Sequence, residues 1–169
     1  MPDPHALRLE VIDQHNWRAA VAVQVSRDQL QFVAGHQPVA LVILAKAYVR
    51  PGDLDWEPLA VVFESSVVGV VALAHAGAHT ELLHLAIDVA KQGRGFGSAA
   101  VRSVIARVAE TRPGSREVLL SVHPDNTRAQ RLYQGEGFLP TGKTRDDEPV
   151  WSFDINRRRG RGSETSLAP

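Results

Sequence analysis

Leu7, Leu9 and Val11 alternate with polar residues, the period-two pattern of a half-buried strand, whereas apolar residues from Asp13 to Leu30 recur at helical spacing. A strand followed by one helix is predicted there. Between Pro38 and Tyr48 an alanine- and leucine-rich segment reads as a buried helix, which Pro51-Gly52-Asp53 stops. Leu59 to Phe63 and Val67 to Leu73 are apolar runs with only Glu64-Ser65-Ser66 between them, so they are predicted to pair as an antiparallel hairpin. Glu81 to Val89 reads as a further strand. Val101, Val104, Ile105 and Val108 then fall on one helical stripe, ended by Arg112-Pro113-Gly114.

Val118, Leu120 and Val122 alternate again, and a strand–helix–strand unit places its two strands parallel. Asn126 can cap a last helix in which Ala129, Leu132 and Tyr133 share a face before Gly135 and Gly137 break it. Val150, Ser152 and Asp154 alternate with Trp151, Phe153 and Ile155 as the final strand. The order of elements is that of a mixed α/β (α+β) domain with its antiparallel strands first.

A chain of 169 residues with 44% hydrophobic content can bury one substantial core, so residues 1–155 are expected to form one domain. Residues 156–169 open with Arg157-Arg158-Arg159-Gly160-Arg161 and continue in small polar residues, a composition too polar to order itself. Lys plus Arg and Asp plus Glu both number 19, so no global field draws the chain to nucleic acid or to an anionic membrane. Without cysteine there is no disulfide and no thiolate nucleophile, and the seven histidines lack ligand spacing, so no metal is expected. The N-terminus has no signal-peptide pattern. The longest apolar stretch, Val39 to Val49, contains Lys46 and is too short for a bilayer core of roughly 30 Å. A soluble cytoplasmic protein is the expectation.

The strand ending near Val89 runs into Gln92-Gly93-Arg94-Gly95-Phe96-Gly97 at the start of a helix. There, unpaired backbone N–H groups and the positive end of the helix dipole surround space that glycines leave open, which makes an anion cradle. No Gly-Lys-Ser/Thr follows, and the glycine spacing does not fit a dinucleotide fingerprint. A tight turn that merely packs a helix closely on a sheet would use the same residues. The second segment is Asn126-x-x-Ala129-x-x-Leu132-Tyr133-x-x-x-Gly137-Phe138, one parallel strand further on.

Taken with the element order, the two segments resemble the GNAT superfamily of N-acetyltransferases. The resemblance covers residues 7 to 155 in layout and is sharpest from Ile87 to Phe138. Phe32-Val33-Ala34, Ala45-Lys46-Ala47-Tyr48 and Ala86-Ile87-Asp88 are further similar to the bacterial spermine/spermidine acetyltransferase branch. It implies a central, mostly antiparallel twisted sheet of six to seven strands flanked by about four helices. It also implies acetyl-CoA as co-substrate, without metal. Leu85, Ala86 and Ile87 would hold the pantetheine arm at a strand bulge, with the Ile87 N–H polarising the thioester. Gln92, Gly93, Arg94, Gly95, Phe96, Gly97 and Ser98 would receive the pyrophosphate, and Asn126 would fix the arm or the helix start. Tyr133 matches the general acid, and a phenol of pKa about 10 is a protonated donor at neutral pH.

Some members of the superfamily use a glutamate of the fourth strand as base, and Glu81 stands where one can occur. Leu83, at another such position, cannot accept a proton. His84, the other titratable group there, is expected by strand alternation to face away from Glu81. Asp88 could be a turn cap. On the acceptor side the resemblance points to the first two helices and nearby loops, which hold Phe32, His36, Tyr48, Asp53, Asp55, Trp56 and Glu57, with His84 as a further substrate-side candidate. The acceptor implied is a small molecule's primary amine: polyamine-like, amino-acid-like or an antibiotic. A peptide or protein acceptor, a non-catalytic acyl-CoA sensor and a homodimeric assembly all stay open.

Overall fold

The computed structural model describes residues 7–158. Its seven strands are β1 (Leu7–Val11), β2 (Asp55–Phe63), β3 (Ser66–His75), β4 (His79–Ile87), β5 (Glu117–Ser121), β6 (Leu139–Arg145) and β7 (Glu148–Asp154), joined in one sheet of order β1-β2-β3-β4-β5-β7-β6. All neighbours pair antiparallel except β4 and β5. The helices are α1 (Trp17–Val21), α2 (Arg27–Val33), α3 (Val39–Val49), α4 (Phe96–Thr111) and α5 (Thr127–Gly135). Ile155 to Arg158 are also helical, and the rest of the expected polar tail lies outside the described residues.

The centre of the sheet is buried on both faces, and the β2–β3 hairpin shows how the sequence achieves this. Leu59, Val61, Val71 and Leu73 enter one apolar cluster, with Val101, Val104, Ile105 and Val108 of α4. Ala60, Val62, Val70 and Ala72, one residue out of phase, enter the other, with Ala20, Val39, Ala40 and Ile43 of α1 and α3. Each fully buried aliphatic side chain contributes roughly 1.5–3 kcal/mol, so the continuous apolar run fixes this hairpin between two helical layers.

The single helix expected from Asp13 to Leu30 is two helices. Asn16 Oδ1 accepts from the Asp13 N–H and Asp13 Oδ1 accepts from the His15 N–H, which turns the chain before α1. Ser26 is the N-cap of α2, its N–H donating to Gln29 Oε1 at 3.3 Å. Val23 and Val25, between the helices, are buried. The helical spacing came from two short helices that face the same core. Strand β6 carries no apolar alternation, and all its residues are exposed. It is held to β7 by a two-residue turn at Asp146 and Asp147, both with positive φ.

Two features of β4 shape the molecule's centre. Val70 pairs with Ala86 and Ala72 with Leu83, so one residue of β3 faces two of β4, His84 and Leu85. This is a β-bulge, and His84 sits at its left-handed position with φ 55°. Moreover, β4 pairs with β5 only through His79, Thr80 and Glu81. Beyond Glu81 the two strands part, and the gap opens on the bulge.

Candidate active site

The turn after β4 is tied down before it reaches the glycines. Asp88 caps it, accepting from the Ala90 N–H at 2.9 Å and from the Gln24 N–H at 3.0 Å. Gly93 and Gly95 have φ of 77° and 82°, conformations that side-chain-bearing residues rarely adopt. They bring the chain round so that α4 starts at Phe96, whose buried ring packs 5.0 Å from that of Phe63. The first N–H groups of α4 have no intrahelical acceptor and point out from this anchored start. They border a cavity of about 500 Å³ lined also by Gln29, Leu85, Ala86, Ile87, Gln92, Asn126, Arg128 and Tyr133.

Gln92 joins three elements around that cavity. Its Nε2 donates to the Ile87 carbonyl and to Gln29 Oε1, both at 2.9 Å. Its Oε1 accepts from Gln29 Nε2 at 2.9 Å and from the Arg128 guanidinium at 3.0 Å. The side chain thereby links the end of β4 to α2 and α5, and its role is to hold the cradle's shape. Arg94, the expected charge beside the cradle, is exposed and lines neither cavity.

A second cavity of about 330 Å³ lies in the gap between β4 and β5. Phe32, Val33, Leu85, Asn126, Ala129 and Tyr133 line both cavities and mark where they meet. Asn126 caps α5 by accepting from the Ala129 N–H at 3.2 Å. Tyr133, about two turns on, packs edge-on against Phe138. Burial raises the pKa of its phenol above the usual tyrosine value, so the group is a protonated donor at neutral pH.

In the second cavity Glu81 accepts from Arg145 at 2.7 Å and lies 3.6 Å from His79. Arg145 comes from β6, so this ion pair spans the gap. His84 does not face away from that cavity as alternation predicts. The bulge puts His84 out of phase, and it lines the same cavity as Glu81, next to Leu83 of the α3-side core. Its Nδ1 lies 2.6 Å from the Val33 carbonyl and its Nε2 is 2.8 Å from Lys46 Nζ. The tautomer that fits donates from Nδ1 and accepts at Nε2. Desolvation, with the Lys46 charge adding to it, lowers the imidazole pKa against the opposing Val33 bond; burial also lowers Lys46. A neutral His84 with both ring nitrogens engaged has no free site for a substrate proton.

Other acceptor-side expectations fall elsewhere. Tyr48 is 90% exposed and lines neither cavity, because it stands on the outward side of the last turn of α3. Trp56 donates to the Pro51 carbonyl and lies under Lys46, also outside both cavities. Asp53 ends an exposed turn and Asp55 pairs with Arg112 at 2.8 Å. Glu57 is half-buried between Arg107 of α4 and His75. His36 lines neither cavity, while Phe32 lines both and packs at a tilt against His123, ring centres 5.2 Å apart.

Several site residues escaped the sequence reading: Gln29, Arg128, Ser121, Arg145 and Glu148. They come from elements whose mutual placement only the fold supplies. Gly69 also escaped it. A Cβ there would lie 2.5 Å from the Ala86 carbonyl oxygen, so glycine is what allows β3 to approach the bulged strand. Among the described residues no group of three or more His, Asp or Glu could hold a metal, and no helix is long and apolar enough to cross a membrane.

Residues 24–138 match the model of the acetyltransferase (GNAT) family. No curated protein matches the sequence significantly. Solved structures share the fold, three of them as follows. A spermidine N-acetyltransferase from Vibrio cholerae, in complex with CoA and spermine, is 16% identical with a TM-score of 0.68, over 88% of this chain and 94% of that one. The GNAT domain of S. lividans PAT is 22% identical with a TM-score of 0.67, over 88% and 94%. The aminoglycoside acetyltransferase AAC(6′)-Ib, in complex with coenzyme A, is 17% identical with a TM-score of 0.68, over 90% and 99%.

Proposed function

Because the chain belongs to the acetyltransferase (GNAT) family, we propose that it transfers an acetyl group from acetyl-CoA to a primary amine of a small molecule, by direct attack through a tetrahedral intermediate. The observation that carries this reading is the meeting of two cavities at Tyr133, one bordered by the glycine-rich helix start and the other by carboxylates. Neighbours of the same fold supply context: one is a spermidine acetyltransferase and another acts on aminoglycosides.

The first cavity fits acetyl-CoA on its own features. Left-handed Gly93 and Gly95 expose the backbone of 92–98 to a pyrophosphate, with Arg128 of α5 across the cavity; the two carboxylates that line it, Asp28 and Asp125, come from α2 and the turn before α5. Leu85, Ala86 and Ile87 offer backbone groups on the strand edge that β5 leaves unpaired, where a pantetheine arm can lie. The Ile87 N–H is assigned to the thioester carbonyl; one such donor contributes roughly 3 kcal/mol of transition-state stabilisation in other enzymes.

Tyr133 would protonate the departing thiolate. The same desolvation that raises the phenol also raises a thiol, so the proton passes between groups displaced in one direction. Glu81 is the carboxylate of β4 assigned to receive the amine's proton, directly or through water, in the presence of its Arg145 partner.

The test is to incubate the protein with acetyl-CoA and a panel of polyamines, amino acids, aminoglycosides and peptides while following free thiol. Acceptor-dependent thiol release is expected. Tight acetyl-CoA binding with no release across the panel would replace this reading with that of an acyl-CoA sensor.

A further inference from the structure

The ionisable walls of the second cavity do not balance. Arg145 is committed to Glu81 at 2.7 Å, across the gap. His84 is neutral and engaged at both nitrogens. His123 Nδ1 accepts from the Asp125 N–H at 3.1 Å, and its ring lies against Phe32. Glu148 is different. Its Oε2 accepts from the Ser121 hydroxyl at 2.8 Å, and among the described residues no Lys, Arg or His nitrogen approaches its carboxylate within 4.0 Å. The side chain is pinned and half-buried, and Arg145, its partner across the β6–β7 hairpin, is turned to Glu81, so one guanidinium serves two carboxylates.

The geometry points to Glu148 as the residue that recognises the acceptor. We propose that it receives a second cationic group of an acceptor whose first amine reacts beside Tyr133, which makes this chain selective for small linear diamines and polyamines over monoamines. The inference rests on the second cavity being the acceptor side.

Three observations argue for that class. A half-buried carboxylate with one neutral donor is stabilised by a cation, and a charge-assisted hydrogen bond is roughly twice as strong as a neutral one. The Ser121 bond leaves Oε1 free for that cation and holds the carboxylate in a single orientation. The cavity's 330 Å³, at about 30 Å³ per water-sized group, is room for a chain of roughly ten heavy atoms.

The test uses the full chain saturated with CoA and two probes, 1,4-diaminobutane and 1-aminobutane, with binding followed by calorimetry and thiol release from acetyl-CoA followed in parallel. The wild-type protein should bind the diamine roughly tenfold more tightly than the monoamine. Glu148→Gln keeps an acceptor for Ser121 and a similar shape, and should remove most of that preference; Glu148→Asp should restore part of it. Diamine affinity within twofold of wild type in Glu148→Gln would overturn the assignment, as would equal wild-type affinity for the two probes. The catalytic reading fails separately: Glu148-dependent diamine binding without thiol release leaves the recognition role standing, whereas thiol release insensitive to Glu148→Gln leaves only the chemistry.

Discussion

Gln29 and Gln92 face each other with their side-chain amides, exchanging two hydrogen bonds of 2.9 Å between α2 and the glycine-rich turn. Helix α2, which lines both cavities, and the turn that would hold the pyrophosphate are thereby one hydrogen-bonded unit. Gln92→Ala removes all four side-chain bonds of this hub. With net contributions near 1 kcal/mol each and partial replacement by water, unfolding stability should fall by about 1–2 kcal/mol. Acetyl-CoA affinity should fall by roughly tenfold, measured by calorimetry.

Tyr133→Phe removes only an oxygen, and its ring stays packed against Phe138. Acetyl-CoA affinity and melting temperature should stay as in the wild type while kcat drops by about 10²–10⁴-fold. A stopped-flow thiol assay under single-turnover conditions separates this loss from slow product release. Unchanged kcat would remove Tyr133 from the mechanism.

Two glycines that border the site should respond differently to alanine. A Cβ on Gly69 meets the Ala86 carbonyl at 2.5 Å, a backbone atom that cannot move without displacing the bulge. Gly69→Ala should therefore cost about 1–3 kcal/mol and lower kcat/KM, because Ile87 follows the displaced carbonyl. A Cβ on Gly97 meets only Leu132 Cδ1 at 2.8 Å, the end of a flexible side chain. Gly97→Ala should be near neutral, and larger side chains there should force α4 from α5. Chemical denaturation of both variants checks the contrast.

Much of this architecture is legible in residue order, and the exceptions are instructive. The α4 stripe and the β2–β3 hairpin are visible because burial on a helix or a strand leaves a period in the sequence. Strand β6 leaves none, since edge pairing to β7 satisfies its backbone without burying its side chains. Alternation puts His84 on the wrong face because a bulge breaks the period without marking the sequence. The glycine turn and Tyr133 could be found from local motifs, whereas Glu148 and Arg145 could not. Those two reach the cavity through strand order, which no local pattern encodes.

Far from the cavities, Glu57 predicts how the fold responds to acid. Desolvation alone would raise its pKa, but hydrogen bonds from His75 and Arg107 outweigh it and lower the carboxyl to about 2. A group depressed in the folded state stabilises it fully above its unfolded pKa, near 4.5, and loses that contribution as pH falls towards 2. Allowing for solvent screening, the contribution is of order 1–2 kcal/mol. Glu57→Gln should be less stable than wild type at pH 6 and above, with the difference shrinking between about 4.5 and 2. Urea denaturation across that range measures it.

The three-residue pairing of β4 with β5 leaves a sheet edge in the interior of the molecule. Exposed edges invite pairing with another chain. Here residues of α2 and α5 line the two cavities onto which the edge opens, a setting that suits a narrow, amide-bearing arm better than a strand from another protein. In the proposed complex that arm would supply the missing rung of the protein's own ladder. Occupancy should then read out as slowed amide exchange along residues 82–87, a signature of sheet completion separable from any turnover.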